Sequence, residues 1–154
     1  MYDIRLAEEE DIGSIYEIEK ICFDRPWTYE MFTDELSRND KARYFVIEYD
    51  KEIIGYAGYW QIIDEAHIMN IAVRPDFRKK GAGSTLIGFL LMKFREEGIM
   101  KATLEVRAGN VNAVRLYQKA GFRIAGKRKK YYDNKEDALI MWKEAADDND
   151  TGKG

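Results

Sequence analysis

Cysteine, histidine and proline are almost missing from this sequence: its 154 residues include one Cys, one His and two Pro. A single cysteine, Cys22, forms no internal disulfide. With His67 as its only histidine companion, it cannot build a structural zinc set or a Cys–His nucleophile pair, so no metal site is expected. Cys22 reads as a small, partly buried apolar residue. Long apolar runs are missing as well. None approaches the roughly 18 residues of a membrane span, and the opening "MYDIRLAEEED" is acidic, unlike a signal peptide. The expectation is a cytoplasmic protein with no membrane partner. The positive excess of a general nucleic-acid binder is also absent, since the formal net charge is −3, and no direct nucleic-acid partner is expected.

What is present is an ordinary globular composition, 45% apolar and 34% charged, without internal repeats or a linker rich in Pro, Gly or Ser. A chain of this length makes one domain, and folding buries about 68–70% of the surface that the unfolded chain exposes. We expect that domain to cover residues 1–144. The acidic tail "AADDNDTGKG", residues 145–154, has almost nothing to bury and is expected to be disordered.

"YDIRL" alternates as a short strand. In "EEEDIGSIYEIEKICF", Ile12, Ile15, Ile18 and Ile21 are expected on one helix face, with acids at the helix start. A second helix over residues 29–38 follows the break at Pro26. Residues 42–75 read as three consecutive strands, β-branched and aromatic, punctuated at Asp50-Lys51 and near Asp64, and short turns imply antiparallel pairing. A helix over residues 83–97 carries Leu86, Leu90 and Phe94 and is stopped by Gly98. "KATLEVR" is a strand, "NAVRLYQKAGF" a short helix, and two strands close the chain. The fold class is α/β (α+β): a mixed central sheet, mostly antiparallel, with helices on both faces.

"RPDFRKKGAGSTL", residues 74–86, places four cations and two glycines between a strand and a helix. Unpaired N–H groups and the positive end of the helix dipole make such a turn an anion site, and glycines let a phosphate approach the backbone. A Walker A segment is absent. The third glycine of a Rossmann fingerprint is replaced by Leu86, with no parallel βαβ unit ahead of it. A solvated basic loop is the alternative on the loop's own evidence.

Arg78, Gly81 and Gly83 match the [RQ]-x-x-G-x-[GA] loop, and this segment resembles the cofactor loop of the GNAT superfamily of acetyl-CoA-dependent N-acetyltransferases. "DEAHIMNIAV", "LEVRAGNVNAVRLYQKAGF" and "KRKKYYDNKEDALIMW" extend the resemblance, over about residues 2–143, to RimI/Ard-type protein N-terminal acetyltransferases. The resemblance implies acetyl-CoA as cofactor. Its phosphates would lie on Arg78, Lys79, Lys80, Gly81, Ala82, Gly83 and Ser84, and its pantetheine arm on the backbone of Ile71, Ala72 and Val73. Ala82 stands where the family loop usually has a larger aliphatic residue.

The same resemblance implies a protein or peptide N-terminus as acceptor, ribosomal or nascent. A GNAT enzyme for a small amine or a lysine side chain, and a non-catalytic coenzyme A module, are the alternatives. Glu105, in a strand whose apolar neighbours would raise its pKa, is the expected general base. Tyr117, 12 residues on, takes by resemblance the role of proton donor to the thiolate. From its spacing with Ala113, Leu116 and Ala120 alone it would equally be a packing residue. Asn110 caps the same helix or contacts the cofactor. Pro26, Trp27, Tyr131 and Tyr132 are expected to wall the peptide groove, the tyrosine pair alternatively being cross-strand packing. His67 faces that groove or is a half-exposed strand histidine. The basic run at residues 127–130 is a solvated face or an approach to an acidic partner.

Overall fold

The computed structural model describes residues 1–132 and 136–145, with the backbone alone at residues 130–132. The expected tail, apart from Ala145, and the side chains of Tyr131 and Tyr132 lie outside the described residues. The elements are β1 (Tyr2–Leu6), α1 (Ile12–Cys22), α2 (Tyr29–Ser37), β2 (Ala42–Tyr49), β3 (Glu52–Ile62), β4 (Glu65–Val73), α3 (Ala82–Glu96), β5 (Lys101–Arg107), α4 (Val111–Lys119), β6 (Arg123–Tyr132) and β7 (Glu136–Glu144).

Strands β1 to β4 form an antiparallel meander. Asp50 and Lys51, at φ 52° and 67°, make the left-handed hairpin turn whose twist suits the flanking strands β2 and β3. After β4 the chain crosses through α3 and returns as β5, parallel to β4. A parallel neighbour needs such a crossover. The last two strands do not simply follow on: β7 inserts between β5 and β6, and the sheet order is β1-β2-β3-β4-β5-β7-β6. The expected mixed, mostly antiparallel sheet is therefore present. No helix among the described residues is long and apolar enough to cross a membrane.

Helices cover both faces. On one, Leu86, Leu90 and Phe94 of α3 pack with Phe45, Tyr59, Leu104 and Met141. On the other, Ile12, Ile15 and Ile18 of α1 pack with Phe32 of α2 and with Tyr44, Val46 and Tyr56. Ile21 departs from expectation and is 60% exposed. A spacing of three slips about 60° per step against 3.6 residues per turn, so nine residues from Ile12 the side chain points to the far side. Glu19 and Cys22 continue the inward face instead, buried and half-buried respectively. The helix over residues 29–38 ends one residue early at Ser37, and α3 begins one residue early at Ala82.

Arg5 of β1 ties the meander to α1. Its guanidinium grips Asp11 at 2.8 and 2.9 Å and reaches Glu48 of β2 at 3.2 Å. The hydrogen-bonded Arg5 guanidinium holds the Asp11 carboxyl below the usual carboxylate range. A depressed folded pKa stabilises above the unfolded value, about 3.9, and that stability is lost as pH falls through the folded value. Asp11→Asn should therefore be less stable than wild type at neutral pH. Urea unfolding repeated at decreasing pH should show the difference shrinking once pH drops below about 4. A difference independent of pH would count against the ion pair as its cause.

Candidate active site

Strands β4 and β5 pair from Glu65 and Lys101 only as far as His67 and Thr103. Beyond that point residues 68–73 stay on β3, while residues 104–107 follow β7. The sheet splits there, and among the described residues β4 has an edge without a partner strand. Its register against β3 shifts at the Gly58/Tyr59 step, where Ile68 and Asn70 are paired and Met69 is the extra residue of a bulge. Along a strand the backbone groups alternate in direction, so half of those from residues 70–73 face the gap rather than β3.

A cleft of about 910 Å³ opens at the split. Cys22, Phe23 and Trp27 line it from the end of α1 and the segment that follows, and Met69, Asn70 and Ile71 from β4. Glu105 and Arg107 of β5, Asn110 and Tyr117 of α4 and its approach, and Glu136 of β7 line it from the other arm. Two acid–base pairs fix this second arm: Arg128 Nε lies 2.8 Å from Glu105, and Arg107 Nη1 lies 3.2 Å from Glu136. Glu136 also accepts the Gly109 N–H at 2.7 Å. A Cβ at position 109 would stand 2.5 Å from that carboxylate, so a larger residue there would make the Glu136 side chain shift.

At the far end of β4 the chain turns through Arg78 and Gly81 into α3. Gly81 is the N-cap residue at φ 84°, a left-handed conformation, and no side chain caps the helix. The first N–H groups of α3 therefore remain available to an anion. Gly83 lies against Leu116 of α4, whose Cδ2 would be 3.3 Å from an added Cβ. The loop is held from the other side by the Tyr2 hydroxyl, which donates to the Lys80 carbonyl at 2.8 Å. An uncapped basic helix start beside an open strand edge suits a long ligand with phosphates at one end and amide groups along its arm.

The family model described as Acetyltransferase (GNAT) family matches residues 12–122. The chain belongs to this family. A Bacillus subtilis protein provisionally named a [ribosomal protein bS18]-alanine N-acetyltransferase is 44% identical over 140 residues, 90% of this chain and 93% of that protein. The ribosomal-protein-S18-alanine N-acetyltransferase from Escherichia coli superposes with a TM-score of 0.87 at 32% identity, over 94% of each chain. Ard1 from Thermoplasma volcanium superposes with a TM-score of 0.85 at 29% identity, over 93% of this chain and 97% of that one. The GNAT chain is an N-acetyltransferase whose donor is acetyl-CoA.

The expected residues divide within this GNAT frame. Glu105, Asn110, Tyr117, Trp27 and Ile71 meet in the cleft. Tyr117 is 8% exposed and belongs to the core, its ring 6.1 Å from Phe122, so it packs and lines the cleft at once. Asn110 Oδ1 accepts the Ala113 N–H at 3.2 Å and caps α4 while lining the cleft. Leu104 and Val106 turn to the opposite face from Glu105, as expected, but Glu105 is exposed and its carboxylate sits on Arg128 instead of among apolar side chains.

Pro26 and His67 are not among the residues lining the cleft. His67 Nε2 lies 3.2 Å from Glu65, on the part of β4 still paired with β5. Ala72 and Val73 are buried on the same strand. The Val73 carbonyl accepts the Cys22 thiol at 3.4 Å and Arg78 Nε at 3.3 Å, so Arg78 turns back towards β4, while Lys79 and Lys80 stay exposed. Burial pushes the Cys22 thiol up. The basic run on β6 is partly engaged, Lys127 with Asp137 at 3.7 Å and Arg128 with Glu105. Sequence reasoning missed Glu19, Arg107 and Glu136. Only Glu19 had a sequence signal, an acid on the apolar face of α1.

Proposed function

We propose that the chain acetylates the α-amino group of protein N-termini in the cytoplasm, with the N-terminus of ribosomal protein bS18 as the leading acceptor. The observation that carries this reading is the cleft itself. It is walled on one side by Cys22, Phe23 and Trp27 and on the other by Glu105, Arg107 and Glu136, and its volume of about 910 Å³ suits a peptide end beside the strand edge. The names of the relatives, one 44% identical over 90% of this chain, support the same acceptor.

The residues fit acetyl-CoA, and its phosphates fall to the α3 start: the backbone of Gly81, Ala82, Gly83 and Ser84, with Lys79 and Lys80 beside it and Arg78 bracing the loop against Val73. The edge of β4 at Ile71, Ala72 and Val73, which has no partner strand among the described residues, takes the amide groups of the arm. When bound, the cofactor supplies an acetyl thioester. Glu105 accepts the proton of the incoming ammonium, directly or through water. An α-amino group titrates near 7.7–8.0 against about 10.4 for lysine, so a carboxylate at a protein N-terminus removes a proton held only weakly at neutral pH. Backbone N–H groups around the Met69 bulge meet the oxygen on which negative charge develops. Tyr117 holds the proton for the departing sulfur at its phenol.

The test is acetyl transfer onto a peptide library varied at its first two residues, with and without a blocked N-terminus. The reading expects transfer to free N-termini, alanine first among them, and none to blocked peptides containing lysine. Transfer to blocked peptides would favour a lysine acceptor, and thiol release with small amines alone would favour a small-molecule enzyme.

A further inference from the structure

Glu19 is 2% exposed, yet it lies at the bottom of the cleft. Three neutral donors reach its carboxylate from three different segments. The Tyr56 hydroxyl of β3 and the Asn70 amide of β4, at 3.3 Å, donate to Oε1, and the Trp27 backbone N–H donates to Oε2 at 2.9 Å. Burial and the charge of Glu19 push the Tyr56 hydroxyl well above its ordinary pKa, so it remains a donor throughout the working range. A buried carboxylate is costly unless it is hydrogen-bonded, and here each bond ties down a different part of the site.

Two of those parts face the reaction. Trp27 belongs to the irregular stretch between α1 and α2, where no strand pairing holds the backbone. Its indole rests on Phe32, ring centres 5.4 Å apart, and its N–H rests on Glu19. Asn70 directly follows the bulged Met69, and its side chain reaches across to α1. One carboxylate thus spans from the acceptor wall to the bulge.

We propose that Glu19 is a positioning residue for the acceptor side of the reaction, setting the spacing between the Trp27 wall and the bulged strand at Asn70. The inference rests on the peptide-acceptor reading above. Glu19 acts through Trp27 and Asn70. Its loss misplaces the acceptor amine relative to the acetyl group and leaves the phosphate loop, which follows Val73 and makes no hydrogen bond to Glu19, intact.

Steady-state kinetics with acetyl-CoA and an alanine-initiated peptide, normalised to coenzyme A binding sites counted by calorimetry, provide the test. Glu19→Ala should lower kcat/KM for the peptide about 100-fold, the scale of an ångström-size misplacement, with a raised peptide KM and an unchanged coenzyme A Kd. Glu19→Gln should recover most of the loss. Its carbonyl can still accept from Trp27, and its amide can donate to the Tyr56 oxygen and to a reversed Asn70 amide. Asn70→Ala cuts only the link to the bulge and should lower kcat about tenfold.

A Glu19→Ala enzyme with wild-type kcat and peptide KM per binding site would overturn the proposal. So would a Gln variant as impaired as the Ala variant, or a coenzyme A Kd that weakens in step with peptide KM. If Glu19→Ala does not fold, the Gln and Asn70→Ala variants decide by the same criteria. Wild type that leaves free peptide N-termini unmodified would contradict the acceptor assignment instead, and the same variants are then compared with the amine that wild type accepts.

Discussion

Glu105→Gln should lower kcat by about 10²–10⁴-fold, the contribution expected of a positioned general base, with the melting temperature nearly unchanged. The carboxylate stands on β5 at the cleft, with the Arg128 guanidinium 2.8 Å away. Glutamine keeps an oxygen for Arg128 but loses the carboxylate charge and the capacity to take a proton. Because the acceptor α-amine becomes neutral near pH 7.7–8.0, the deficit should narrow as pH rises through that range, which a purely structural defect would not do. Tyr117→Phe should lower kcat on the same scale. Phenylalanine retains the buried ring against Phe122, so a loss of turnover with the core intact isolates the hydroxyl. Wild-type turnover in both variants would remove Glu105 and Tyr117 from the chemistry.

How much of this arrangement can be read from the sequence depends on the range of the interaction. The hairpin at Asp50-Lys51, the α3 stop at Gly98 and the Asn110 cap are local and were legible, since turn and cap chemistry acts within a few residues. The direction of the α1 face was legible for its first two turns and misassigned at Ile21, where spacing by threes drifts off a helical stripe. The insertion of β7 between β5 and β6 is a pairing choice that strand patterning does not encode. Neither does the parting of β4 from β5 after His67, the event that makes the cleft. Glu105 lines the cleft, but its partner Arg128 lies 23 positions away on another strand, a pairing that the local pattern around Glu105 does not encode. Glu136 meets Gly109 and Arg107 only because β7 lies beside β5.

Phe32→Ala should cost about 3–5 kcal/mol and lower Tm by about 10 °C, because it empties a fully buried aromatic site. Phe32 is the hub of a ring cluster: Trp27, Tyr56 and Tyr44 stand 5.4, 5.8 and 6.3 Å from it, the two tyrosines edge-on. The tyrosine hydroxyls end on buried acids, Tyr56 on Glu19 and Tyr44 on Glu35 at 3.0 Å. Collapse into the vacated space would drag those bonds off geometry, so little relaxation is open to the site, and the cost belongs at the upper end of the range. The same cluster carries Trp27, and peptide KM should rise in the fraction that remains folded while coenzyme A affinity does not change. Differential scanning calorimetry together with peptide titration reads both effects. A loss below about 1 kcal/mol would mean that the cluster repacks freely, and a core able to do that could not hold the acceptor wall in register with β4.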